Sequence, residues 1–182
     1  MSNTQDILSE IHSRLAPQCV RVEKMPNGLA FMLPLHSESP GPMIFGTATL
    51  DTYSPAPDTP IQLLSVEFIL FQDLPTPSPE KTPFRLHELN IQALFGTLSI
   101  NTNRQLCYRH TCTVNDYDST QAAQLFELVS YEMLLFLSFY YDYIFICATD
   151  PERLTVDEYL QLVLSASDSD LRQSEKGGNT HA

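Results

Sequence analysis

The sequence predicts an α+β domain: an antiparallel sheet of about five strands, with an N-terminal helix and a long helix packed across it. Two helical periodicities frame the chain. Ile7, Leu8, Ile11 and Leu15 recur at helical spacing near its start, and a longer apolar pattern runs from Ser119 towards Cys147. Between them lie short apolar or alternating runs punctuated by Pro, Gly and Asn, the pattern of strands joined by turns.

Taken in order, Thr4 or Asn3 can cap the first helix and Pro17 ends it. Cys19 to Met25 and Leu29 to Leu35 read as a hairpin about Pro26-Asn27-Gly28, because Asn-Gly tolerates the positive φ of a tight turn. Pro40-Gly41-Pro42 breaks the chain before a strand from Met43 to Asp51. Ile61 to Phe71 is almost continuously apolar, which predicts a central strand buried on both faces. Pro75-Thr76-Pro77-Ser78-Pro79 reads as an extended surface loop. Phe84 to Phe95 reads as a short helix or turn, stopped by Gly96. A second hairpin pairs Thr97 to Ile100 with Gln105 to Val114 across Asn101-Thr102-Asn103. In that last strand Leu106, Tyr108, His110, Cys112 and Val114 point one way, and Cys107, Arg109, Thr111 and Thr113 the other.

Asp118 with Gln121 predicts a capping box at the start of the long helix. Leu125, Phe126, Val129, Met133, Phe136, Leu137, Tyr140, Tyr143, Ile144 and Cys147 form one apolar face for the sheet. The reverse side is also rich in apolar residues, and a helix apolar nearly all round must be covered nearly all round. A membrane span is excluded by Glu127, Glu132 and Asp142, which interrupt every window of about 20 residues. A second protein surface is the better cover, so Tyr131, Leu134, Leu135, Tyr141 and Phe145 are the candidate residues for a homodimer or partner interface. The competing cover is the chain's own last helix, announced by the capping box Thr155-Val156-Asp157-Glu158 and the stripe Val156, Tyr159, Leu160 and Val163. Residues 1–164 thus form one domain, and 165–182 read as a polar, disordered tail.

Composition sets the function class. The net charge is −12, with 10 Lys+Arg against 22 Asp+Glu, which argues against nucleic acid and anionic lipid as partners. More than half of the acids lie after residue 115, so that half favours a basic partner. Met1 to Asp6 shows no leader pattern, and four scattered cysteines suit a reducing cytoplasm better than a disulfide framework.

No catalytic or metal motif emerges. Cys107 and Cys112 point to opposite sides of their strand, so with His110 they form no metal site. His12, His36, His87 and His181 sit on separate elements. Asp116, Asp118, Thr120 and Glu127 imitate a calcium loop until Gln121, where glycine is required. Gly28, Gly41, Gly46 and Gly96 stand alone, with no phosphate-binding or nucleophile motif around them. The expectation is a non-catalytic protein-binding module, chaperone-like or regulatory and homodimeric, without cofactor or metal. The alternative is a small-molecule-binding domain or enzyme whose site on the sheet's concave face joins His110 or Glu67 to apolar walls.

One resemblance bears on this. Leu86-x-x-Leu89-Asn90, Gly96-Thr97-Leu98-Ser99-Ile100 and Arg104-Gln105-Leu106-Cys107-Tyr108-Arg109, followed by the helix after Asp118-Ser119, resemble the YbjN-like family and the type III secretion chaperones. The likeness runs from Leu86 to Tyr143. It implies a compact, usually dimeric α+β domain that holds or regulates a protein client without chemistry. The Pro-rich loops and the helix after Pro151 depart from that pattern and put the families' dimer geometry in doubt.

Overall fold

A computed structural model describes residues 4–35, 43–56, 59–72, 74 and 81–165. The Pro40-Gly41-Pro42 break, the Pro75–Pro79 stretch, His36, His181 and residues 166–182 lie outside the described residues. Within them the order is α1 (Thr4–Leu15), β1 (Arg21–Met25), β2 (Gly28–Pro34), β3 (Met43–Tyr53), β4 (Ile61–Phe71), α2 (Thr82–Gln92), β5 (Thr97–Ile100), β6 (Leu106–Thr113) and α3 (Ser119–Thr149). A final helix, α4, covers 156–165. It takes in Ser165, the first residue of the expected tail.

The sheet has six strands in the order β1-β2-β3-β4-β6-β5, and every neighbouring pair is antiparallel. One face meets the helices. Phe31, Ile44, Ala48, Leu64, Val66, Phe68 and Tyr108 are closed off there by Ile7 and Ile11 of α1 and by Phe126, Val129, Met133 and Leu137 of α3. Aromatic contacts trace the path of α3 across the strands: Phe126 meets Phe31 edge-on at 6.1 Å, and Phe136 lies against Tyr108 at 5.1 Å. At the far end the Thr82 hydroxyl donates to the Cys147 carbonyl at 2.9 Å, tying α2 to α3.

The other face is open. Thr47, Thr49, Glu67 and Arg109 share it by register, and on β4 the side chains of Leu63, Glu67 and Ile69 are only half-buried. The expectation that β4 is buried on both faces therefore holds on this side only at Ser65. Its apolar run reflects a bulge: Ile69 pairs with Cys107 but Phe71 with Leu106, so Leu70 is the extra residue. Two residues then oppose one, and Phe71 turns to the helix side.

The β1–β2 turn differs from its sequence reading. Met25 pairs with Gly28, so Pro26 and Asn27 occupy the β1–β2 turn, and neither Asn27 nor Gly28 has a positive φ. Glycine is needed at 28 for another reason: a Cβ there would overlap the carbonyl oxygen of Ala48 on β3. In the β5–β6 turn the left-handed residue is Arg104, at φ 62°. Asn101 builds that turn, its Oδ1 accepting from the Asn103 and Gln105 backbone N–H groups, each at 3.0 Å.

The β5 edge is capped from within the chain. Asn90 of α2 accepts from the Leu98 N–H at 2.7 Å and donates to the Leu98 carbonyl at 3.0 Å, replacing the ladder bonds of a missing neighbour. Gly96 enters that strand at φ 82°, a left-handed conformation, and a Cβ would press on Tyr108.

Candidate partner interface

The long helix starts where its capping box places it. Asp118 accepts from the Gln121 N–H at 2.8 Å, and the Gln121 side chain accepts from the Asp118 N–H at 3.1 Å. With its start fixed, 100° per residue assigns Phe126, Val129, Met133, Leu137 and Ile144 to the buried arc. On the opposite arc the helix leaves large apolar side chains in the open: Leu128 is 51% exposed, Tyr131 63%, Leu135 42%, Phe139 60% and Phe145 50%. Leu128, Tyr131, Leu135 and Phe139 share one narrow stripe, with Phe145 on its flank.

The sequence-derived candidates divide on this surface. Tyr131, Leu135 and Phe145 are exposed, whereas Leu134 and Tyr141 are half-buried against the core. Tyr141 stacks on Phe71 at 6.2 Å, and Phe145 leans on the same ring at 5.6 Å. Burial and the neighbouring Asp142 charge both raise the Tyr141 phenol pKa. Sequence reasoning passed over Leu128 and Phe139, although their i, i+7 and i+11 spacing with Leu135 was visible.

The last helix covers a different flank. Its own capping box forms, with the Thr155 N–H donating to Glu158 at 2.7 Å and the Glu158 N–H to the Thr155 hydroxyl at 3.2 Å. Tyr159 then stacks on Tyr143 at 5.1 Å, lies 6.4 Å from Tyr140 and donates its hydroxyl to the Phe139 carbonyl at 2.9 Å. These contacts seat α4 beside Tyr140 and Tyr143 and leave Leu128, Tyr131 and Leu135 uncovered. It also adds exposed Leu162 and Leu164 to the surface.

Contrary to the exclusion expected from Glu127, Glu132 and Asp142, α3 is long and apolar enough to cross a membrane, but 44% of its most apolar window is buried inside the fold. Its exposed arc carries Glu132 and Asp142 among the apolar groups, and the helix contains no Lys, Arg or His. A charged side chain on a lipid-facing arc is costly, whereas a protein partner or water accepts it.

Three further reactive groups, Cys107, Cys112 and His110, lie on β6. Cys107 lies on the open-face side, where burial and the Glu67 carboxylate push its thiol up to about 12. Cys112, on the helix side, donates to the Leu64 carbonyl at 3.6 Å, and burial raises its pKa too. Thiols held protonated in this way are poor nucleophiles and poor ligands. His110 accepts from the Gly96 N–H at 3.2 Å and meets the Phe95 ring edge-on, and desolvation lowers its pKa. Its register partner is Val66, while Glu67 faces the other side of the sheet, so no one pocket joins His110 to Glu67. Among the described residues no group of three or more His, Cys, Asp and Glu converges as a metal site would.

Fold and surface together define an α+β domain that spends its long helix half on its own core and half on an uncovered apolar stripe. No family model matches the chain, and no curated protein matches it significantly.

Proposed function

We propose that this chain is a non-catalytic protein-binding module, chaperone-like or regulatory, that pairs with a second copy of itself through the outer arc of α3. The stripe Leu128, Tyr131, Leu135 and Phe139, with Phe145 beside it, carries the reading, because single exposed apolar residues are ordinary but a contiguous aromatic-rich stripe marks an interface. A straight helix surface of this kind is self-complementary about a twofold axis, with ridges of one copy seated in grooves of the other. Four unpaired cysteines support a reducing, cytoplasmic setting, and the net charge of −12 supports a basic rather than an acidic client.

The charge pattern adds a condition. Because α3 has no base to offset Glu132 and Asp142, pairing brings like charges together and salt should tighten it. Light scattering on the full chain is expected to give twice 20.6 kDa. The dimer fraction should rise between low salt and about 0.5 M NaCl. A monomer that persists at high protein and high salt concentrations would overturn the proposal.

A further inference from the structure

Given the pairing proposed above, on which this rests, we infer that the two α3 helices run antiparallel, with Tyr131 of each copy against Leu135 of the other.

At 100° per residue, Gln124, Leu128, Tyr131, Leu135, Phe139 and Asp142 all project within about 45° of Leu135. Each of them is exposed. From Gln124 to Leu135 the steps alternate between four and three residues, the spacing with which one helix packs along another. The apolar side chains occupy the middle of this line. Gln124 closes it on the N-terminal side and Asp142 on the C-terminal side.

Charge chooses between the two twofold arrangements. In a parallel pair every residue meets its own copy, so the two Asp142 carboxylates face each other along the contact line. The helix carries no Lys, Arg or His to offset them, and like charges brought together at an interface select against that partner geometry. In an antiparallel pair about an axis level with Met133, Tyr131 meets Leu135, Leu128 meets Phe139 and Gln124 meets Asp142. Apolar groups then meet apolar groups throughout, and the Gln124 amide is placed to donate to the Asp142 carboxylate.

Orientation also decides which carboxylate repels its copy. Glu132 is half-buried on one flank of the line, about 60° from Leu135. A parallel axis sends the two Glu132 side chains to opposite flanks. The antiparallel axis keeps them on the same flank, offset by only about 3 Å along the helices. Glu132, and not Asp142, is therefore the group whose repulsion salt screens.

The test places a nitroxide at Thr120→Cys, an exposed position in the first turn of α3, and reads the spacing between copies of the full chain by pulsed dipolar spectroscopy. Burial raises the pKa of all four native thiols, so mild labelling favours the new one. At a rise of about 1.5 Å per residue the antiparallel pair should give about 40 Å, and a parallel pair under about 20 Å. Sedimentation equilibrium supplies a second readout. Glu132→Gln should lower the Kd roughly threefold at low salt and flatten its salt dependence, whereas Asp142→Asn should not lower it. A spacing under about 20 Å, or tightening by Asp142→Asn in place of Glu132→Gln, overturns the antiparallel geometry and leaves pairing through α3 standing. A monomer mass without dipolar coupling overturns the pairing as well.

Discussion

Leu135 is the position at which pairing through α3 can be measured in graded form. It is 42% exposed in the single chain, so a partner would bury what remains of its side chain. Full burial of a leucine is worth about 1.5–3 kcal/mol, which makes that share about 1 kcal/mol. A twofold interface contains the residue twice, so Leu135→Ala should cost about 2 kcal/mol of pairing and raise the dissociation constant roughly 30-fold. Leu135→Asp should abolish pairing, because it also places an unpaired carboxylate at each copy's contact. The folded monomer should hardly notice either change, shifting by about 1 kcal/mol or less in urea unfolding. Sedimentation equilibrium over a concentration series measures the first quantity and the urea midpoint of the monomeric variant the second. The reasoning fails if Leu135→Ala leaves the dissociation constant unchanged, or if Leu135→Asp unfolds the domain. The second result would mean that the outer arc belongs to the core.

Two further outcomes follow from the fold. Asn90→Ala removes both bonds to Leu98, leaving an edge N–H and C=O without their partner, and should cost about 1–3 kcal/mol in urea unfolding. The uncapped β5 edge should also make that variant aggregate faster on warming, as light scattering would show. For pH dependence the sign comes from His110, whose folded pKa lies below the ordinary 6.5. Above 6.5 both states hold the neutral ring; as pH falls through 6.5 the unfolded chain takes the proton first, so stability is lost on the acid side. Urea midpoints at about pH 7.5 and 5.5 should differ more for the native chain than for His110→Asn, and equal differences would exclude His110 as the source.

How far the sequence carries this molecule depends on how local each feature is. Both capping boxes, Asp118 with Gln121 and Thr155 with Glu158, are bonds across one helical turn, and the residue types three apart announce them. The alternation of β6 is equally local, and it assigns Cys107 and Cys112 to opposite faces. The turn at Pro26-Asn27 is where local chemistry misleads. Asn-Gly suits a positive-φ turn, yet Gly28 is required by the backbone of β3, twenty residues further on (Ala48), which no dipeptide rule can see.

The exposed arc of α3 shows the same limit at the surface of interest. Helical periodicity separates inside from outside, but it cannot say which outer residues a neighbour already covers. That is decided on the flank by Phe71, and Phe71 reaches the helix side because one extra residue at Leu70 reverses the alternation of β4. The bulge therefore removes Tyr141 from the candidate surface and leaves Phe145 half-covered, while Leu128 and Phe139, beyond its reach, stay open. A partner that recognises α3 thus meets a stripe centred on Leu135, and substitutions at Tyr141 report on the packing of the bulge instead.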